Sequence, residues 1–281
     1  VVQLQRHAGP DRWLAAAAGF LTADPVSTNV QAVTAGRIAA GEESTRPHQL
    51  WATIEDRAGQ VVGVAIHTPP RPLALSRMPH QAAASLADAL AGAGHSLSGV
   101  IGPRPAAEAF AQTWAARTGT RAVPRRASSL LRLGRLRPPE TVPGAAMVAR
   151  EDQVDLVAHW LRWFSQEADP GPAVEDSATI ARRRVLAGQV WLWVDGGLPV
   201  SLAAASAPAF GVVRLGPVFT PPAARRRGYA SAVTAALSAA SLGAGAAEVV
   251  LVVDQDNQRA ARVYRAIGFR LDHHWVELEL G

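Results

Sequence analysis

Val218-Phe219-Thr220-Pro221-Pro222, then after two alanines Arg225-Arg226-Arg227-Gly228-Tyr229-Ala230, is the stretch whose reading decides the fold of this chain. The apolar opening reads as a strand, the prolines as its end, and the alanine-rich run that follows as a helix. At such a junction the first amides of the helix have no intrahelical partners and the macrodipole turns its positive end outward, so an anionic phosphate can bind there. Gly228 lets a pyrophosphate approach the main chain, small Ala230 keeps the next turn clear, and three arginines add charge and forked donors. The pattern is a diphosphate cradle without the Gly-Lys-Ser/Thr ending of a Walker loop or the three glycines of a dinucleotide fingerprint.

About thirty residues on, Val249 to Val253 is an apolar β-branched run broken by Asp254-Gln255-Asp256-Asn257. Ala260, Val263, Tyr264 and Ile267 then recur at helical spacing, Gly268 stands where a helix-terminating glycine belongs, and Phe269 opens another strand, with Leu271 to Leu280 continuing it. The two motifs, R-x-x-G-x-A after one strand and N-x-x-A-x-x-x-Y-x-x-x-G-F after the next, resemble the acetyl-CoA-binding core of the GNAT superfamily of N-acetyltransferases. The resemblance covers about Met147 to Gly281, with dense motifs from Val218 to Phe269.

That resemblance implies a mixed α/β (α+β) fold whose β-sheet, flanked by helices, splays at its centre to admit a thioester. It also implies roles for named residues. The main chain of Val218, Phe219 and Thr220 would pair with the pantetheine arm, and Arg225, Arg226, Arg227, Gly228, Tyr229, Ala230 and Ser231 would hold the pyrophosphate. Asn257 would hydrogen-bond the cofactor near its bend, and Tyr264 would stand beside the sulfur as general acid. Direct transfer from acetyl-CoA needs a neutral amine, a polarised carbonyl and a proton for the thiolate. A phenol with the ordinary pKa near ~10 keeps its proton at neutral pH and can supply the last of these.

The general base has no such signature. Family members often place a glutamate on the central strands, whereas Pro199 to Phe219 holds no carboxylate. Asp254 and Asp256 read more readily as turn and cap groups, His159 as a helix flank, and His273-His274 as a pair straddling a strand. A water chain would also serve, and no histidine–carboxylate spacing argues for a metal.

The second half opens with a helix over Asp152–Phe164 and a basic one over Ser177–Ala187. A hairpin of Val190–Val194 and Pro199–Ala205 turns at Asp195-Gly196-Gly197, and Val212–Phe219 leads into the cradle. The proline-rich stretch Arg137 to Gly144 is the linker candidate, which divides the chain into domains 1–138 and 139–281. Before it, Gln49–Glu55 and Val61–His67 read as a hairpin, Gln81–Ala91 and Ala106–Arg117 as helices, and Leu97–Ile101 and Ser128–Leu136 as strands. This order echoes the second half, so the first domain reads as a degenerate GNAT-like α/β copy. It lacks a glycine in Ser76-Arg77-Met78-Pro79-His80-Gln81 and any Asn-to-Gly-Phe segment, so no cofactor is assigned to it. It shapes an acceptor pocket, adds stability or mediates formation of a homodimer.

Composition frames these readings. The 281 residues, 48% hydrophobic, suffice for two cores. No apolar run approaches the ~20 residues that span a bilayer, so no membrane association is expected. No secretion signal is evident and cysteine is absent, which suits a cytoplasmic setting and excludes disulfides and thiol nucleophiles. The net charge of +5 comes from 28 arginines with no lysine, the habit of a GC-rich bacterial genome rather than a nucleic-acid surface. The sequence leaves three functions in play: transfer of acetyl from acetyl-CoA to a primary amine of a small molecule, amino acid or peptide; transfer of a longer acyl chain past small Ala203, Ala204 and Ala205; or a non-catalytic CoA-sensing or protein-interaction module.

Overall fold

Apolar alternation over Leu50–Glu55 and Val61–His67 closes, as the sequence predicts, into an antiparallel hairpin, with Leu50 opposite His67 and Ile54 opposite Gly63. The computed structural model describes residues 2–43, 47–168 and 175–281. The elements are β1 (Gln3–Arg6), α1 (Pro10–Ala23), α2 (Asn29–Ala39), β2 (Leu50–Glu55), β3 (Val61–His67), β4 (Leu73–Leu75), α3 (His80–Gly92), β5 (Gly99–Pro103), α4 (Arg104–Thr118) and β6 (Ala122–Leu133). They continue as β7 (Ala145–Val148), α5 (Val154–Ala168), α6 (Ser177–Leu186), β8 (Val190–Asp195), β9 (Leu198–Ala205), β10 (Val212–Phe219), α7 (Tyr229–Gly243), β11 (Glu248–Asp254), α8 (Gln258–Ala266) and β12 (Phe269–Leu280). From β7 onward the chain repeats, element for element, the order from β1 to β6, which is the degenerate copy expected from sequence.

Four elements of the first repeat were not expected: β1, α1, α2 and β4. Helix α1 buries Trp13, Ala17 and Leu21, a single line at four-residue spacing inside a run of alanine that shows no face by itself. Strand β4 is three residues long and follows a proline cluster, below the length at which alternation is readable.

Two compact units emerge, and their boundaries cross the sequence halves. The first holds residues 1–130, 254–256 and 272–281; the second holds 131–253 and 257–271. In the first, strands run in the order β1-β2-β3-β4-β5-β12-β6, with Trp275 of β12 opposite Pro103 of β5. In the second, the last residues of β6 begin an order that continues β11-β10-β9-β8-β7. The proline-rich stretch around 139–144 therefore falls inside the second unit. Strand pairing follows available backbone edges over any sequence distance, so linker composition carries no information about where a repeat's last strand will pair.

In the second unit successive residues of β9 face opposite cores. Ala203 and Ala205 join Leu215, Val233, Leu237 and Leu251 beneath α7 and α8, while Leu202 and Ala204 join Trp160, Val185, Leu192 and Phe219 beneath α5 and α6. The three alanines are nearly or wholly buried within these cores. The small Ala203 and Ala205 admit close packing of α7 onto the sheet.

Candidate functional site

Strands β10 and β11 pair in parallel over only four residues, Val212 to Leu215 against Glu248 to Leu251. Beyond Leu215 the register with β9 also shifts, resuming at Val218 opposite Ala203, and the cis Gly216–Pro217 bond lies at this bulge. Arg184 of α6 donates to the Gly216 carbonyl at 2.9 Å. The last residues of β10 thus keep β9 on one side and part from β11 on the other, the central splay that the resemblance implied. The Val218–Thr220 backbone borders that gap, although Phe219 O and Thr220 Oγ1 are met from the β9 side by buried Ser201 Oγ, at 3.1 and 2.8 Å.

The cradle follows. A single 3-10 turn at Pro222–Ala224 ends in Arg225, after which Arg226 (φ 68°) and Gly228 (φ 84°) both lie in the left-handed region. Gly228 is the N-cap of α7 and offers no side chain to its amides, and the alanine-rich helix that follows is strongly propensity-driven. The amides of Arg226, Arg227, Gly228, Tyr229, Ala230 and Ser231 find no acceptor among the described residues; the next one, Ala232, donates to Gly228 O at 3.0 Å. A run of free amides around alternating handedness is an anion-binding concavity. A Cβ on Gly228 would lie 3.0 Å from Val142 Cγ2, so the glycine answers both backbone handedness and space.

The side chains of the cradle divide. Arg226 and Arg227 are exposed and make no ion pair among the described residues. Arg225 instead donates through Nε to Thr220 O at 2.8 Å and through Nη2 to both carboxylate oxygens of Glu167 at 2.8 Å, and its guanidinium lies 5.8 Å from the Phe219 ring centre. Tyr229 is buried, and its hydroxyl donates to the Asp195 carboxylate. Sequence reasoning missed Asp195, Glu167, Ser201 and Arg184. Asp195 reads as an ordinary hairpin-turn aspartate, and its reach to a residue thirty-four positions on leaves no local pattern.

Because β10 and β11 are parallel, the loops that leave their ends open on the same edge of the sheet, the cradle after β10 and Asn257 after β11. Asn257 caps α8: its Oδ1 accepts from the Ala260 amide at 3.0 Å, leaving the side-chain NH2 as its remaining donor. Tyr264 lies two turns on, about 10 Å along the axis and on the same helical face. Its ring meets Phe269 edge-on at 6.2 Å, and its hydroxyl has no partner among the described residues. Half-buried by exposure, it is desolvated enough by its surroundings that burial pushes its pKa up to about 12.

The candidate bases are dispersed. Asp254 and Asp256 belong to the first unit, where Asp254 Oδ1 accepts the Asp256 amide at 2.9 Å, the turn role favoured from sequence. His273 and His274 also lie in the first unit. Burial lowers the His273 pKa, opposed by its hydrogen bond to Asp272, and Trp275 Nε1 donates to its Nε2. His274 Nδ1 faces Gln255 Nε2 at 2.9 Å. His159 is exposed on α5, its ring 4.5 Å from Trp163. At the first repeat's counterpart of the cradle, Arg77 Nη2 donates to Asp272 at 2.9 Å and Ser76 Oγ accepts the Val64 amide at 2.9 Å, so that segment is tied into its own unit. Among the described residues no group of three His, Asp or Glu is placed to hold a metal ion, and no described helix is long and apolar enough to cross a membrane.

Residues 200–277 match the family described as FR47-like protein. No curated protein matches the sequence. Among solved structures, a GCN5-related N-acetyltransferase from Sphaerobacter thermophilus is 18% identical over 99% of this chain and 94% of its own, with a TM-score of 0.61. A GNAT-family acetyltransferase from Colwellia psychrerythraea is 12% identical over 99% and 100% of the two chains, with a TM-score of 0.59. A tandem GNAT protein from the clavulanic acid biosynthesis pathway is 12% identical over 99% and 98%, with a TM-score of 0.53. At these identities the similarity concerns the fold.

Proposed function

Because this chain carries the GNAT fold in its two-domain form, we propose that it is an N-acetyltransferase that moves an acetyl group directly from acetyl-CoA to a primary amine of a small molecule, amino acid or peptide. One observation carries the reading: six consecutive amides, Arg226 to Ser231, without an acceptor among the described residues, placed beyond the end of a strand that parts from its parallel neighbour. The CoA diphosphate takes those amides and the charge of the loop. The pantetheine arm lies along the open edge of Val218 to Thr220, and its thioester enters the splay.

Tyr264 supports the transfer step. As the amine attacks the thioester carbonyl, the carbon–sulfur bond breaks and the thiolate takes the phenolic proton. A hydroxyl kept protonated by burial and without a partner among the described residues suits that donation. Asn257 offers its side-chain NH2 to the cofactor while its oxygen caps α8. β9 and β10 carry no carboxylate, so the amine's proton leaves through water.

The test is product formation with acetyl-CoA and longer acyl-CoAs against a panel of amines. Acetylated amine and free CoA in equal amounts are expected. CoA binding without turnover on any pair would replace the reading with a CoA-sensing module, and preference for a long acyl chain with the acyl-transferase alternative.

A further inference from the structure

Within the cradle motif two side chains turn inward. Tyr229 is 3% exposed, and its hydroxyl is committed to Asp195 at the end of β8. Arg225 donates through Nε to Thr220 O and through Nη2 to the Glu167 carboxylate, so Glu167 balances its charge. Only Arg226, Arg227 and Gly228 span the gap between these two anchored residues. Arg226 holds a positive φ of 68°, which a side-chain-bearing residue adopts at a cost and keeps only where its surroundings over-determine it. The two anchors supply that determination. A phosphate at the Tyr229 hydroxyl would moreover face the Asp195 carboxylate.

We propose that the side chains of Arg225 and Tyr229 touch no phosphate and position the loop: that of Tyr229 through Asp195, and that of Arg225 through Glu167 and Thr220, hold it so that its free amides converge. The anion's charge is met by Arg226 and Arg227. This rests on the CoA reading and narrows it, since the whole basic run would otherwise be taken as ligand.

The experiment is calorimetric titration of the full chain with CoA at low and high salt, with the thermal midpoint followed for every variant. Tyr229→Phe and Asp195→Ala each weaken CoA about tenfold, the double variant is no worse than either, and Asp195→Asn, which keeps an acceptor, restores wild-type affinity. Neither changes the salt dependence. Arg226→Ala and Arg227→Ala weaken binding and flatten the salt dependence, because they remove screened charge. Glu167→Ala is the sharpest arm. It frees Arg225, so a positioning role predicts weaker binding, whereas a phosphate-ligand role predicts tighter binding. If Tyr229→Phe does not fold, the contrast of Asp195→Asn with Asp195→Ala decides the same point. Multiplying losses in the Tyr229–Asp195 double variant, a flattened salt dependence in Tyr229→Phe, or tighter binding in Glu167→Ala overturns the proposal while the CoA reading stands. Wild-type protein that binds no CoA overturns the reading itself, and the proposal with it.

Discussion

A tyrosine hydroxyl pushed up to about 12 by burial keeps its proton throughout the neutral range, which is the state a general acid needs. The protonated form is full below that pKa and is lost only as pH rises through it. Wild-type kcat is therefore expected to show no descending limb from this group between about pH 6 and about pH 10, and Tyr264→Phe is expected to lower kcat on the order of a hundredfold with CoA affinity unchanged. Steady-state rates over that range, with titration of CoA into both proteins, check this. Full turnover in the variant would remove the acid role, and an alkaline limb within that range that disappears with the phenol would contradict the raised pKa. Tyr264 could be singled out from sequence because its spacing from Asn257 is local and matches the motif of the family that the chain resembles. The inward turn of Arg225 and Tyr229 was not, because a side chain's direction is set by partners such as Glu167 and Asp195 that no spacing reveals.

At the scale of elements, Asn257 has two jobs that one substitution confounds and two separate. As the cap of α8 its oxygen is worth about 1 kcal/mol. Asn257→Ala is expected to cost that much stability and also to weaken CoA. Asn257→Asp caps equally well yet has no NH2 to offer, so it is expected to keep the thermal midpoint and still lose CoA affinity. Equal affinity in wild type and Asn257→Asp would confine the residue to the cap. Elements with strong local signatures stand where the sequence put them: β10 from Val212 to Phe219, the β8–β9 hairpin, and α8, which ends at Ala266 just before Gly268, whose φ of 110° and 2.1 Å approach of a Cβ to Arg135 O admit no side chain. Strand β6 begins at Ala122 rather than Ser128 because its first residues, Ala122 to Arg125, are all exposed and include a proline, so no buried-and-exposed alternation marks them as strand.

For the whole molecule, the repeated element order was half visible in sequence, from the hairpin, helices and strands that precede Pro139. What stayed hidden is that β12 from Asp272 onward is built into the first unit and β6 from Leu131 into the second. Backbone pairing over that distance leaves no trace in composition or turn residues. The central claim is nevertheless local to the second unit: its free amides grip a CoA diphosphate. It is tested most directly by following backbone amide resonances of the full chain during titration with acetyl-CoA, with Gly228→Val, whose backbone cannot take the left-handed conformation without strain, as the control. The account predicts saturable shifts concentrated at Arg226 to Ser231 and none in the variant. Shifts confined to other residues, or wild type and Gly228→Val responding alike, would contradict it.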